Sequence, residues 1–217
     1  MRNKKGFTLT EVLLAVMIVG LISIALASLT RAAARESGVG RTKIMLRNNL
    51  SMFMRTLRKD LASSSYVSGV YGWLPVGTTP VILVQMAKNM DSKGNVLQAG
   101  KPKEWITYCF KRGTDNANIQ PSTAYRGGII YRIVGTTKIT SCPTTYTQKQ
   151  VVLQAVKFLV QGTASSATGY HSPLFMRNNF SRLGTNSVLT VRIITELNSK
   201  PLVNDVVEEI FTLPNGY

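Results

Sequence analysis

Phe7-Thr8-Leu9-Thr10-Glu11-Val12-Leu13-Leu14-Ala15-Val16-Met17-Ile18-Val19-Gly20-Leu21-Ile22-Ser23-Ile24-Ala25-Leu26-Ala27-Ser28-Leu29 decides how the rest of the chain is read. Its single charge is Glu11. The eighteen residues from Val12 to Leu29 carry none, which meets the length threshold for a membrane-spanning helix. Arg2, Lys4 and Lys5 precede the run. Such a cationic flank predicts a cytoplasmic N-terminus, with the residues after Leu29 on the far side of the membrane. A secretory signal peptide is the competing reading, because Ala25-Leu26-Ala27 before Ser28 matches the small-x-small cleavage pattern. Two features favour an anchor. The apolar run is longer than the usual core of a signal peptide, and Glu11 interrupts it near its start.

Glu11 needs a compensating interaction. A carboxylate at mid-bilayer costs about 2.5–3.5 kcal/mol on insertion scales, and less near a helix end. One reading keeps Glu11 hydrated at headgroup level. The other gives it a positive partner, from a neighbouring chain or from a new N-terminus.

The pattern Gly6-Phe7-Thr8-Leu9-Thr10-Glu11-Val12-Leu13-Leu14-Ala15-Val16-Met17-Ile18 resembles the N-terminal signature of the type IV pilin superfamily. That superfamily builds type IV pili, type II secretion pseudopili and competence pseudopili. The resemblance joins a short basic leader, Gly, Phe and a Glu at the fifth position, all entering a long apolar helix. It covers about thirty residues. It implies cleavage by a prepilin peptidase between Gly6 and Phe7, where a glycine lets the backbone approach a protease closely. It also implies methylation of the freed amine of Phe7. Losing the leader removes Arg2, Lys4 and Lys5, which takes the net charge from +16 to +13. The Phe7 amine and Glu11 then stand one helical turn apart on one face, so an intrachain pair is open to them. The family pattern instead pairs Glu11 with the amine of a neighbouring subunit and so sets the filament's register. The implied partners are the peptidase, other pilin or pseudopilin subunits and inner-membrane lipid. No cofactor is implied.

After Leu29 the sequence stays helical and becomes amphipathic. Val39, Leu46, Leu50, Phe53, Leu57 and Leu61 recur at helical steps, forming one apolar stripe of the kind that packs on a sheet. Arg31, Arg35, Arg41, Lys43, Arg47, Arg55, Arg58 and Lys59 stand against Glu36 and Asp60. No proline occurs before Pro75. A helix from Phe7 to Ala62 is therefore predicted, about 80 Å long at 1.5 Å per residue. Many major pilins carry a proline in this helix, so its absence points to a minor subunit. The basic stretch is read first as a solvated face with long side chains lying along the helix. Binding to anionic headgroups or nucleic acid is the alternative. No base-stacking aromatics are interleaved in it, since Phe53 belongs to the apolar stripe.

Ser63-Ser64-Ser65 ends the helix, and strands between turn-rich loops follow. The predicted strands are Pro80–Met86, Glu104–Phe110, Gly128–Val134, Val151–Val160, Ser187–Leu197 and Val206–Leu213. The predicted loops are 87–103, 113–126, 161–186 and 198–205. The domain reading is a leader at 1–6, a membrane or filament-core helix at 7–29, an amphipathic helix at 30–62 and a β-rich head at 63–217. One long helix on an antiparallel sheet is α+β, which is also the pilin arrangement. More narrowly, Val156-Lys157-Phe158, then Val188-Leu189-Thr190-Val191-Arg192-Ile193, then Ile210-Phe211-Thr212-Leu213-Pro214 are similar in order to J-type minor pseudopilins of type II secretion. The Trp and Pro usual in that subunit's late loop are missing.

Composition narrows the remaining function classes. The chain has 217 residues, 44% hydrophobic and 17% charged, with 26 basic and 10 acidic side chains. That is neither low-complexity nor an acidic disordered chain. One His and two Cys exclude most zinc, haem and iron–sulfur sites that need several such ligands. Outside the cytoplasm Cys109 and Cys142 are permitted to form a disulfide. It would close a loop of about thirty residues, for a contribution on the order of 3 kcal/mol. Two free cysteines, one buried, are the alternative. No nucleophile elbow, His-Glu-x-x-His or phosphate-binding loop occurs. His171 stands alone. Asp91-Ser92-Lys93-Gly94-Asn95 reads as a hairpin turn, because Lys93 occupies a position where a calcium loop needs oxygen. A non-enzymatic filament subunit is the leading function. An anchored or exported cationic protein capturing DNA or another polyanion is the alternative.

Overall fold

The computed structural model describes residues 8–68, 79–89, 93, 95, 103–112, 127–157, 172–179, 187–197 and 203–213. The leader, the Gly6–Phe7 bond, the loop 113–126, His171, and Asp91, Ser92 and Gly94 of the 91–95 turn lie outside the described residues. Helix α1 runs Leu9–Ala62. The chain divides into two compact units, Met1–Thr42 and Lys43–Tyr217.

In the first unit every residue from Thr8 to Gly38 is exposed. Leu, Ala and Met favour the helix, and no proline or glycine pair interrupts Leu9–Leu29. The hydroxyls that punctuate the run satisfy themselves. Ser23 donates to the Val19 carbonyl (2.8 Å), Ser28 to Ala25 (2.7 Å) and Thr30 to Ala27 (3.0 Å). This back-bonding suits an apolar medium, where an unmatched hydroxyl is costly.

In the second unit the rest of α1 lies on an antiparallel sheet, so the architecture is α+β and pilin-like. Leu46, Leu50, Phe53, Met54, Leu57 and Leu61 are buried, which is the predicted stripe from Leu46 onward with Met54 added; Val39, where the predicted stripe begins, is only half-buried. The helix stops where the serines begin: the Ser64 hydroxyl donates to the Leu61 carbonyl (2.8 Å) and Ser63 to Asp60 (3.1 Å). These side chains compete with further helical turns.

The strands are β1 (Tyr66–Ser68), β2 (Val81–Lys88), β3 (Glu104–Arg112), β4 (Gly127–Gly135), β5 (Val151–Lys157), β6 (Leu174–Asn179), β7 (Ser187–Leu197) and β8 (Val203–Thr212). Their order is β1-β2-β3-β4-β5-β7-β6, and β8 also pairs with β7. Strand β7 organises the C-terminal half. Along its length it pairs with β8, from Val188↔Thr212 to Leu197↔Val203. It also pairs with β6 through residues 187–192 and with β5 at Thr195↔Val156.

Three sequence expectations need correction here. The predicted loop 161–186 contains β6, and the predicted loop 198–205 already contains the start of β8. The short strand β1 has no counterpart among the predicted strands. In each case pairing overrides local pattern. β6 has only Leu174-Phe175-Met176 before turning polar, and β8 opens on Val203-Asn204-Asp205, yet both lie in continuous register with β7. β2 and β3 each run two residues beyond the predicted ends. Residues 158–160 of the predicted fourth strand lie outside the described residues.

One face of the sheet lies against α1, and the other is covered over β2–β4, while Val206 and Ile210 of β8 stay exposed on it. Ile106, Tyr108 and Phe110 of β3 join Leu83, Met86, Ile130, Leu153, Phe175, Leu189, Val191 and Ile193 beneath α1. Phe53 meets Tyr108 edge-on, ring centroids 5.9 Å apart at 89°. The alternate residue Cys109 points to the other face, with Ile82, Ile129, Tyr131 and Cys142. β5 carries an irregularity against β4, and Ala155 within it has φ of 62°. The left-handed region is unusual for a residue with a Cβ, and the bulge leaves both Ala155 and Val156 buried.

Gly128 of β4 packs against Phe110. A Cβ there would lie 2.4 Å from the ring and 2.6 Å from the Lys111 carbonyl oxygen. Backbone limits relief of that overlap, so Gly128→Ala should destabilise the protein by about 1–3 kcal/mol. Urea unfolding of the full chain in mild detergent measures it. An unchanged midpoint would show that β4 shifts freely there.

Candidate functional site

Two places combine specific polar geometry with an unusual setting: the start of α1 and its last turn. At the start, Thr8 and Glu11 bond reciprocally. The Thr8 N–H donates to Glu11 Oε2 (2.9 Å), the Thr8 hydroxyl donates to the same oxygen (2.9 Å), and the Glu11 N–H donates to Thr8 Oγ1 (3.4 Å). The first helical bond runs from the Val12 N–H to the Thr8 carbonyl (3.3 Å). Thr8 is thus the N-cap and Glu11 the third helical residue of a capping box. This bears on the membrane directly. A helix start leaves four N–H groups without intrahelical partners, which is costly at the edge of an apolar phase. The pair Thr8-x-x-Glu11 covers part of that deficit.

The sequence reading of Glu11 offered hydration at headgroup level or an amine partner, and missed this local one. The signal was present, since Thr-x-x-Glu before an apolar run is the capping-box pattern. Glu11 therefore has polar partners before any other chain arrives. Gly6 and Phe7 lie outside the described residues. Beyond Glu11, Leu9–Leu29 offers an apolar surface with nothing over it; Leu9, Leu14, Val16, Leu21 and Ile24 are among its exposed side chains. Its most apolar window, inside α1, has a mean hydropathy of 2.8.

At the last turn of α1, Asp60 is 3% exposed. Tyr108 donates to its Oδ2 at 2.6 Å. Arg132 donates through Nε to Oδ2 (2.7 Å) and through Nη2 to Oδ1 (3.1 Å). Lys88 Nζ stands 3.4 Å from Oδ1. Burial pushes the Asp60 carboxyl up, but the Arg132 and Tyr108 hydrogen bonds and the charges of Arg132 and Lys88 outweigh it, and the pKa lies below its ordinary value. Burial, with Asp60 beside it, pushes the Tyr108 hydroxyl well up, so it stays a donor. β2, β3 and β4 each send one side chain to this carboxylate. It fastens the end of α1 to three strands. The sequence reading treated Asp60 as one acid in a basic stretch. Its position between Leu57 and Leu61 on the buried stripe was the available clue. A second cross-link ties α1 to β8, where the Arg58 guanidinium donates to Glu209 (2.8 Å from Nε).

Residues 136–147 cover the sheet's second face over β2–β4. Cys109 and Cys142 are disulfide-bonded, Cα atoms 6.0 Å apart. The Tyr131 hydroxyl donates to the Pro143 carbonyl (2.6 Å), and its ring stacks on Tyr146, centroids 4.7 Å apart. The Gln85 amide donates to the Ile139 carbonyl (2.6 Å). Burial pushes the Tyr131 hydroxyl up from its ordinary value. Glu208 and Glu209 engage different cations, Arg192 and Arg58, consistent with adjacent strand residues facing opposite ways.

Residues 1–27 match the family described as the prokaryotic N-terminal methylation motif. The N-terminus carries a type IV pilin-type signature. No curated protein and no solved structure matches the chain. The signature implies processing by prepilin peptidase and assembly with other pilin subunits, and points to a structural subunit rather than an enzyme. With the exposed apolar helix it fits a single-pass inner-membrane anchor.

Asp60→Asn should destabilise the protein by about 2–4 kcal/mol at pH 7, because it leaves the buried Lys88 and the half-buried Arg132 without their counter-charge. The depressed carboxyl pKa fixes the sign of the pH dependence. Wild type holds its advantage above the ordinary carboxylate value of about 3.9 and loses it as pH falls through the lower folded value. Urea midpoints of both proteins between pH 7 and pH 3 should therefore converge on acidification. A constant gap would show that the charge of Asp60 is not what matters.

Proposed function

We propose that this chain is a minor pilin or minor pseudopilin, a structural subunit of a type IV pilus-like filament or a type II secretion pseudopilus. Prepilin peptidase cuts between Gly6 and Phe7 and methylates Phe7. Residues 7–29 hold the subunit in the inner membrane, with its N-terminus cytoplasmic and its β-rich head in the periplasm, until it enters the filament. The observation that carries this reading is the capped start of α1. A carboxylate stands five residues after Gly6, at the mouth of an apolar helix that nothing else in the first unit covers.

The capping box gives Glu11 two duties. It covers the helix start, and its charge selects the amine of a neighbouring subunit. The two are separable, because glutamine also serves at the third position of a capping box. The minor-subunit reading draws on the unbroken helix, free of proline from Leu9 to Ala62. The narrower J-type reading draws on the order of the C-terminal segments, where Phe211 and Leu213 are buried.

Glu11→Gln and Glu11→Ala test the charge. Both variants should be cut at Gly6–Phe7, and both should fall by about tenfold or more in the filament fraction when co-expressed with partner subunits, since a buried charge without its partner is strongly disfavoured. Only Glu11→Ala should also fray the helix start. Assembly of Glu11→Gln at the wild-type level would overturn the charge-pairing role.

A further inference from the structure

Past the apolar run, the first unit carries Arg31, Arg35 and Arg41, all exposed. Arg31 and Arg35 are four residues apart and share a helix face, a like-charge pair that weakens an isolated helix. No acidic residue stands three or four positions from either one. Glu36 has Ala32, Ala33, Val39 and Gly40 at those spacings instead. Among the described residues no carboxylate forms an ion pair with Arg31 or Arg35. The pair therefore has unmet demand for an anion.

Depth identifies the anion. Leu9–Leu29 spans about 31 Å at 1.5 Å per residue, close to the roughly 30 Å hydrocarbon core of a bilayer. Arg31 then stands about 3 Å beyond that core and Arg35 about 9 Å beyond it, at or beside a headgroup layer roughly 5–7 Å thick. The Cα–Cβ bonds of a helix tilt towards its N-terminus, so both side chains lean back towards the bilayer. The turn between them is Ala32-Ala33-Ala34, which does not crowd the guanidinium groups. Guanidinium binds phosphate oxygens bidentately.

We propose that Arg31 and Arg35 form a binding site for the phosphate of anionic phospholipids in the leaflet on the far side of the membrane from the N-terminus. The proposal rests on the reading of residues 7–29 as a membrane anchor. It adds a consequence for maturation. The leader takes Arg2, Lys4 and Lys5 with it, so the side-chain cations flanking the mature helix are those on the Arg31 side, and the new Phe7 amine at the other end has Glu11 for a counter-charge. Headgroup charge in that leaflet then governs how firmly the mature subunit is held before it leaves for the filament. Nucleic acid fits the pair less well, since no aromatic side chain lies between residues 30 and 42 to stack bases.

The test uses the full chain, cut and uncut, in bilayers of mixed phosphatidylglycerol and phosphatidylcholine. Spin-labelled versions of each lipid report their relative occupancy at the protein. Wild type should prefer phosphatidylglycerol by roughly fivefold per arginine at low salt. In the cut protein Arg31→Gln/Arg35→Gln should abolish most of that preference, and Arg31→Lys/Arg35→Lys should keep part of it; in the uncut protein the share due to Arg2, Lys4 and Lys5 should remain. Arg41→Gln/Lys43→Gln removes equal charge further from the membrane and should leave the preference intact. Equal selectivity in wild type and the Arg31/Arg35 glutamine variant would overturn the proposal. So would an equal loss on neutralising Arg41 and Lys43, which would show diffuse charge rather than a site. A duplex oligonucleotide retained through Arg31 and Arg35, with lipid selectivity unchanged by their loss, would overturn it in favour of nucleic acid. Cleavage at Gly6–Phe7 is scored separately, so failure of the pilin reading is distinguishable from failure of lipid selectivity.

Discussion

From Leu9 to Leu29 this helix exposes an almost wholly apolar surface, and no part of its own unit covers it. Water is a poor solvent for such a surface. Lipid or neighbouring helices must take its place, and each polar group along the run has to be dealt with locally. The hydroxyls of Ser23, Ser28 and Thr30 turn back to backbone carbonyls. Thr8 and Glu11 close the helix start between them. The single carboxylate of the run thereby has polar partners at the helix start.

The second unit solves a different problem. One face of its sheet takes the amphipathic part of α1, and residues 136–147 cover the other over β2–β4. Apolar burial supplies most of the driving force on both faces, but it does not fix where a helix stops. Ser63 and Ser64 do that, and Asp60 fastens the final turn by drawing Lys88, Tyr108 and Arg132 from three strands to one carboxylate. The Cys109–Cys142 bridge and the Tyr131–Pro143 bond hold the covering segment on the second face in the same way.

Patterns with a fixed period were legible in the sequence. The apolar run, the stripe Leu46-Leu50-Phe53-Leu57-Leu61 and the alternation of β7 each follow from one residue's spacing to the next, so α1 and the strands with strong patterns could be read directly. Less was legible where long-range partners decide. β6 and the opening of β8 have weak local patterns and exist through register with β7. The Asp60 cluster gathers residues that are 28, 48 and 72 positions away, and nothing local announces them. The capping box is a different case. Thr8-Leu9-Thr10-Glu11 was readable, but the charge of Glu11 drew attention to a distant partner and away from the near one.

The most direct measurement is the mature N-terminus, by mass spectrometry of the membrane fraction with and without co-expressed prepilin peptidase. A peptidase-dependent start at N-methylated Phe7 is predicted. A start at Ser28, with or without the peptidase, would contradict it: the apolar run would then be a discarded signal peptide and Glu11 would have no place in the mature protein.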